Sequence, residues 1–195
     1  MPVPLPAEPA TRRRAGFAPV VDAHTRLLIL GSLPGDASLA AGQYYAHPRN
    51  GFWRLTGGVI GRDLVDLAYP QRLAALQAAG IGLWDVITTA HRTGSLDTAI
   101  RDPEFADLTG LVATLPHLRA VAFNGATAAR AGRRVLATGA GGLTCRPPVR
   151  PTRGRWPTRR APGPVWARSS IPRAGCATMS RPFAGPRCIQ IARRQ

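Results

Sequence analysis

Short apolar runs with no polar face alternate along this chain with longer stretches in which apolar residues recur at helical spacing. Leu27 to Leu30, Ile81 to Thr88 and Arg119-Ala-Val-Ala-Phe123 are runs of the first kind. A strand that is apolar on both sides belongs inside a covered sheet. Phe52 to Ile60 and Pro70 to Ala79 are stretches of the second kind. In the latter, Leu73, Leu76 and Ala79 share one face and Gly80 stops the helix. Another helix is predicted from Asp107 or Thr109 through Leu115, ended by Pro116, and one more from Ala126 to Leu136. Pro34 to Ser38 can start a short helix capped by Asp36 or Ser38. Residues 91–102, HRTGSLDTAIRD, read as a polar loop with a short helix from Ser95. Strand and helix in alternation predict an α/β fold, with a parallel sheet between two layers of helices.

The two ends differ from this middle. Residues 1–16 are proline-rich, then arginine-rich, and read as a flexible lead-in or as an arm for a phosphate backbone. Phe17 to Asp22 reads as an ordered entry segment. From Cys145 onward the chain carries nine prolines and 12 arginines without helical or strand periodicity. The expected organisation is therefore a lead-in (1–16), an α/β domain (17–143) and an irregular tail (144–195).

Composition changes the picture in one respect. The formal net charge is +16, and all 26 basic residues are arginine. Up to Thr144, 14 arginines face all ten acidic residues, whereas the tail holds 12 arginines and no acid. The charge that suggests a nucleic-acid partner thus lies mostly outside the domain. Three scattered cysteines suggest neither a disulfide framework nor zinc spacing. No His/Cys/acid cluster suggests a metal, and no cofactor is expected. No apolar run approaches the length of a membrane-spanning helix, and the N-terminus does not read as a secretory signal. A monomer in a reducing, cytoplasmic setting is the expectation.

The chemistry concentrates in residues 26–53, RLLILGSLPGDASLAAGQYYAHPRNGFW. A buried strand runs into a Gly/Pro turn, and open α/β sheets bind ligands at the carboxyl ends of their strands. Two tyrosines, Phe52 and Trp53 then crowd beside His47, Arg49 and Asn50. Apolar area left in water forfeits about 25 cal/mol per Å², so core or ligand must cover these rings.

GSLPG at 31–35, QYYAHPRNGFW at 43–53, GIGLWDVI at 80–87, GSLDTAI at 94–100 and FNG at 123–125 together resemble the uracil-DNA glycosylase superfamily. Within it the likeness is to the hypoxanthine-DNA (deoxyinosine) glycosylase family, over roughly Phe17 to Leu136. The resemblance implies a three-layer α/β/α domain around a four-stranded parallel sheet. It also implies removal of a deaminated base (hypoxanthine, or uracil or xanthine) from DNA. Such an enzyme extrudes the base, holds it and cleaves its N-glycosidic bond. Tyr45 matches the aromatic that stacks on the base. Several relatives position the attacking water with a polar residue where this chain has Leu33, which cannot do so. The resemblance passes that task to Asn50, which otherwise reads as a turn residue before Gly51. Ser32, Leu33 and Asn124 are placed against the base, and His47, Arg49, Pro34 and Gly35 against the DNA backbone. His47 reads equally as a structural hydrogen-bonding residue, and Arg49 as a solvated one. Asp85, at a strand end, reads as a site residue or a cap, and Ser95 and Asp97 as caps. The absence of lysine excludes a lysine Schiff-base lyase and leaves a monofunctional glycosylase.

The resemblance also calls for a fourth strand after residue 144 and a DNA-gripping loop of the form Pro-Ser-Thr-Ser-Pro-Ala, a string the chain lacks. Residues 144–153 can be encoded so that the neighbouring frame reads Leu-Pro-Ser-Thr-Ser-Pro-Ala-Tyr-Ala. The tail reads either as out-of-frame translation or as an arginine-rich extension. Two rival functions follow: an inactive glycosylase remnant, or an arginine-rich nucleic-acid-binding protein.

Overall fold

A computed structural model describes residues 12–138 and 187–191, all within one compact unit. Its organising strand is β2 (Leu27–Gly31), paired in parallel with β3 (Ile81–Asp85) on one side and β6 (Ala120–Asn124) on the other. Alternate side chains of β2 enter two different cores, as a period of two requires. Leu28 and Leu30 pack with Val121, Phe123 and Leu108, and with Ala128, Ala129 and Leu136. Ile29 packs on the opposite face with Leu83, Tyr44, Phe52, Trp53 and Leu76. Helices α4 (Leu108–Ala113) and α5 (Ala126–Thr138) supply the first layer, and α2 (Phe52–Ile60) and α3 (Tyr69–Ala78) the second. The predicted three-layer arrangement is therefore present.

Local signals explain several boundaries. Asp107 caps α4 by accepting from the Gly110 amide at 2.8 Å. Gly80, at φ +71°, ends the α3 segment in a conformation that an L side chain rarely adopts. Gly132 lets α5 approach the sheet, since a Cβ there would stand 2.2 Å from the Phe123 ring.

Four expectations need correction. The tail, expected to be irregular, holds the fourth parallel strand that the resemblance calls for: β7 (Arg187–Ile191) pairs in parallel with β6, giving the order β3-β2-β6-β7. The run from Ile81 to Thr88 is not one strand. It breaks at Val86, and β4 (Ile87–Arg92) joins a second, antiparallel sheet with β1 (Arg12–Ala15) and β5 (Arg101–Phe105), in the order β1-β4-β5. The lead-in is consequently ordered from Arg12, where it pairs with Arg92. Finally, part of the polar loop is strand β5, exposed along its whole length. Its Pro103 is tolerated because β5 lies at a sheet edge.

The outer edge of β3 is also met: Val20 and Leu83 exchange backbone hydrogen bonds of 2.8 and 2.9 Å. The reading frame of the tail and the missing loop concern residues outside those described.

Candidate active site

The strand register sets the site. Leu30 lies opposite Trp84 and Phe123, and Gly31 opposite Asp85, which brings the carboxyl ends of β2, β3 and β6 to one level. Gly31, Asp85 and Asn124 end those strands. A Cβ on Gly31 would sit 2.2 Å from Asp85 Oδ1 and 3.4 Å from Tyr45 Oη, so only glycine lets the carboxyl and the phenol share this space.

The turn after Gly31 is held from below by residues 92–97. Ser32 Oγ donates to Asp97 Oδ1 at 2.8 Å. The buried guanidinium of Arg92 donates to the carbonyl oxygens of Leu33, at 3.3 Å, and Pro34. Ser95 Oγ accepts from the Asp36 amide at 2.9 Å. Neither Asp36 nor Ser38 therefore caps α1 (Asp36–Ala41); Ser95 does so from a distant segment. The Asp36 amide, which the turn alone would offer to a phosphate, is already engaged. Asp36 instead pairs with Arg14 on β1 at 3.1 Å.

Leu33 and Pro34, expected against the base and the DNA backbone, are both buried at the turn. Leu33 packs beneath the turn with Ile87 and Ala90, and Pro34 is also buried. Their side chains fix the turn, and Gly35 remains half-exposed.

The aromatic block divides its rings between core and site. Tyr44 is core: its hydroxyl donates to the Ala18 carbonyl at 3.2 Å and its amide to Tyr69 Oη at 3.0 Å. Burial, then the nearby Asp85 carboxyl, push its pKa up. Tyr45 adopts φ +54°, an uncommon conformation for a bulky residue. It is half-buried, and its ring stacks on Phe52 with centroids 3.8 Å apart and planes at 19°. Phe52 meets Trp53 edge-on at 5.1 Å, and the Arg72 guanidinium covers Trp53 at 5.4 Å.

Residues 46–50 form a turn stapled by its own side chains. His47 Nδ1 accepts from the Arg49 amide at 3.1 Å, and the His47 carbonyl accepts from the Asn50 amide at 2.8 Å. Asn50 Oδ1 accepts from the Phe52 amide at 3.0 Å, fixing the entry to α2. His47 and Arg49 are exposed, whereas Asn50 is half-buried.

Asp85 stands apart electrostatically. It is 4% exposed. Burial, reinforced by the negative charge of Asp97 and opposed by Arg92, pushes its pKa up to about 7. Burial likewise lowers the pKa of Arg92. The sequence left Asp85 between site and cap, and it missed Arg92 because a charged residue in a polar stretch reads as loop. Among the described residues no group of three or more His, Cys, Asp or Glu could hold a metal ion.

A cleft of about 300 Å³ opens at the other end of the sheet, beside His24, Arg26, Gly80 and His117. There Arg26 donates to the Ala79 carbonyl at 3.3 Å, so its guanidinium already serves the end of α3.

Comparison with known proteins agrees with this arrangement. Residues 18–169 match the pattern of the uracil DNA glycosylase superfamily. A hypoxanthine DNA glycosylase of Methanosarcina barkeri is 50% identical over 113 residues, covering 58% of this chain and 72% of the relative. Its counterpart in Methanosarcina acetivorans is 48% identical over 112 residues, covering 57% and 71%. A solution NMR structure of a candidate uracil DNA glycosylase from Methanosarcina acetivorans superimposes with a TM-score of 0.59 at 44% identity, covering 64% of this chain and 77% of that one. With residues 18–169, most of its length, matched, this chain belongs to the uracil DNA glycosylase superfamily.

Proposed function

We propose that this chain is a monofunctional DNA glycosylase that hydrolyses the N-glycosidic bond of a deaminated base in DNA. Hypoxanthine is the first candidate, since two relatives bear that name; uracil and xanthine follow. The observation that carries the reading is the Tyr45–Phe52 stack, standing beside Gly31 and Asp85 at the carboxyl ends of a parallel sheet. An extruded base needs an aromatic face and polar groups at its edge.

In this reading Tyr45 covers the base, and Ser32 and Asn124 lie near it. Asn50 holds the attacking water. Its Oδ1 is engaged by the Phe52 amide, but a carbonyl oxygen has a second lone pair and Nδ2 supplies two donors. Exposed His47 and Arg49, with the backbone at Gly35, meet the phosphates. One water is consumed: its oxygen joins C1′ and the base leaves with the bond's electron pair and a proton. The lysine-free chain stops at the abasic site.

The test is base release from labelled duplexes carrying one deoxyinosine, deoxyuridine or deoxyxanthosine, with abasic sites cut by alkali. Strand breaks that vanish in Asn50→Ala support the reading. Absence of breaks with all three substrates under enzyme excess overturns it.

A further inference from the structure

The cleft at the far end of the sheet is walled by guanidinium and imidazole groups. His24, Arg26, Gln77, Gly80, His117 and Arg119 line about 300 Å³, the lower end of the range for small-ligand pockets. Among the described residues no carboxylate lines it. The starts of the strands fix its walls. The Arg119 and Ala120 amides both donate to the Arg26 carbonyl, at 2.8 and 3.2 Å, which sets the two arginines side by side. The Arg26 amide donates to the Gly80 carbonyl at 2.8 Å. A Cβ on Gly80 would stand 2.7 Å from Arg26 Nε, so glycine leaves the guanidinium its place. The imidazoles of His24 and His117 lie parallel to within 4°, with ring centroids 6.5 Å apart. His24 is carried by a turn in which the buried Thr25 Oγ1 accepts from the Asp22 amide at 2.9 Å. Asp22 Oδ1 serves that same turn, accepting from the His24 amide at 2.9 Å and the Thr25 hydroxyl at 3.1 Å.

We propose that this cleft binds a small phosphate-bearing anion, either inorganic or a phosphate monoester. Cations gathered around one hollow repel one another, and an anion between them relieves that repulsion. The guanidinium fork matches phosphate oxygens two at a time. Arg26 gives one N–H to the Ala79 carbonyl at 3.3 Å, and a guanidinium carries five. The two rings and the Gln77 carboxamide add further N–H donors. Together they exceed what the two oxygens of a carboxylate accept, whereas a phosphate monoester presents three acceptor oxygens. The cleft is separate from the candidate active site. Strand β2 runs between them, five residues long, or about 17 Å at the rise of a strand. A duplex seated at the carboxyl ends of the strands therefore lies away from this end of the sheet.

The experiment uses the full chain at fixed ionic strength, since a net charge of +16 attracts any anion weakly. Calorimetric titrations are run with inorganic pyrophosphate and with AMP, and amide-resolved NMR follows the same titrations. Saturable binding of one anion is expected, with shifts at residues 24–26, 77–80 and 117–119 and none at Tyr45 or Asn50. Binding of pyrophosphate alone assigns the site to the inorganic ion, and binding of AMP to the monoester. Arg26→Gln/Arg119→Gln should weaken binding about tenfold or more, the scale for lost hydrogen bonds to a charged group. Arg54→Gln/Arg62→Gln makes the same change of charge at exposed positions elsewhere and should leave binding within about twofold. Equal weakening in the two pairs, shifts confined to other residues, or no saturation by about 10 mM overturns the proposal. The NMR map of the parent decides even where the Arg26 variant unfolds, because it needs no substitution. An undamaged DNA duplex is the last arm. If it shifts the cleft resonances as strongly as pyrophosphate does, the occupant is a phosphodiester backbone and the proposal fails.

Discussion

Arg92 reaches across from β4 to hold the carbonyl of Leu33 at 3.3 Å, with the Pro34 carbonyl on the same guanidinium. Both acceptors lie in the turn that follows β2, and Arg92 itself is 1% exposed. Replacing Arg92 by Ala leaves two buried carbonyls without donors, at about 1–3 kcal/mol each. The expected loss is about 2–5 kcal/mol in urea unfolding, with base release falling as the turn loosens. Arg92→Lys should fall between, since an ammonium cannot reproduce the planar fork. A parental midpoint in Arg92→Ala would show that the turn stands without its clamp.

Tyr45 combines a strained backbone with a stacked ring, and substitutions separate the two. Tyr45→Phe keeps the stack on Phe52 and should release base at close to the parental rate. In the proposed function Tyr45→Ala removes the face for the base, and stacking on an aromatic contributes about 1–3 kcal/mol per base. Single-turnover release should then drop roughly ten- to a hundredfold. An equally large loss in Tyr45→Phe would assign the effect to the hydroxyl over Gly31.

Asn50 has a structural task that can be subtracted. Its oxygen accepts from the Phe52 amide, and loss of one such hydrogen bond costs about 1 kcal/mol. Asn50→Asp retains that acceptor, so its stability should match the parent while Asn50→Ala falls by about that amount. Base release should collapse in Asn50→Ala far beyond what this deficit explains. Parental release in the Ala variant, once shown to be folded, would move the water to another residue.

Asp85 also makes stability depend on pH. Its pKa rises from 3.8 to about 7 on folding, so between those values the native state keeps a proton that the unfolded chain has released. Stability therefore falls as pH rises through this window, at about 1.4 kcal/mol for each pH unit crossed and by up to a few kcal/mol in all. Asp85→Asn should flatten that slope in unfolding curves taken between about pH 4 and 8. Glu104, whose pKa is lowered by hydrogen bonds from Thr89 and then Arg13, acts the opposite way and below its ordinary value of 4.5. An unaltered slope in Asp85→Asn would mean that the carboxyl is charged in the folded protein at neutral pH.

The parallel sheet was legible because Leu27 to Leu30 and Ala120 to Phe123 have no polar face, and only a doubly covered strand tolerates that. Helices α2, α3 and α5 were legible from their apolar spacing. The antiparallel sheet was not. Strand β5, Arg-Asp-Pro-Glu-Phe, buries nothing of its own; it is held by pairing with β4 and by Glu104 accepting from Thr89 at 2.6 Å and from Arg13. Such partners lie far apart in sequence and leave no periodicity to read. Within the site, the glycine turn and the aromatic block were visible as composition. That Ser95 caps α1 depends on the 92–97 segment folding back beneath the turn, that Leu33 turns inward depends on its packing with Ile87 and Ala90, and that Asp85 lies over Gly31 depends on the register of β2 with β3.

Strand β7 gives the sheet a temporal order. Its partner β6 ends at Asn124, but the pairing residues begin only at Arg187. Contacts between residues so distant in sequence form late, and among the described residues the flank of β6 has no neighbour during synthesis until β7 has left the ribosome. In that interval the nascent sheet carries a bare row of amides and carbonyls, which makes this flank the place where chaperones would hold the chain and where neighbouring copies would first stick together.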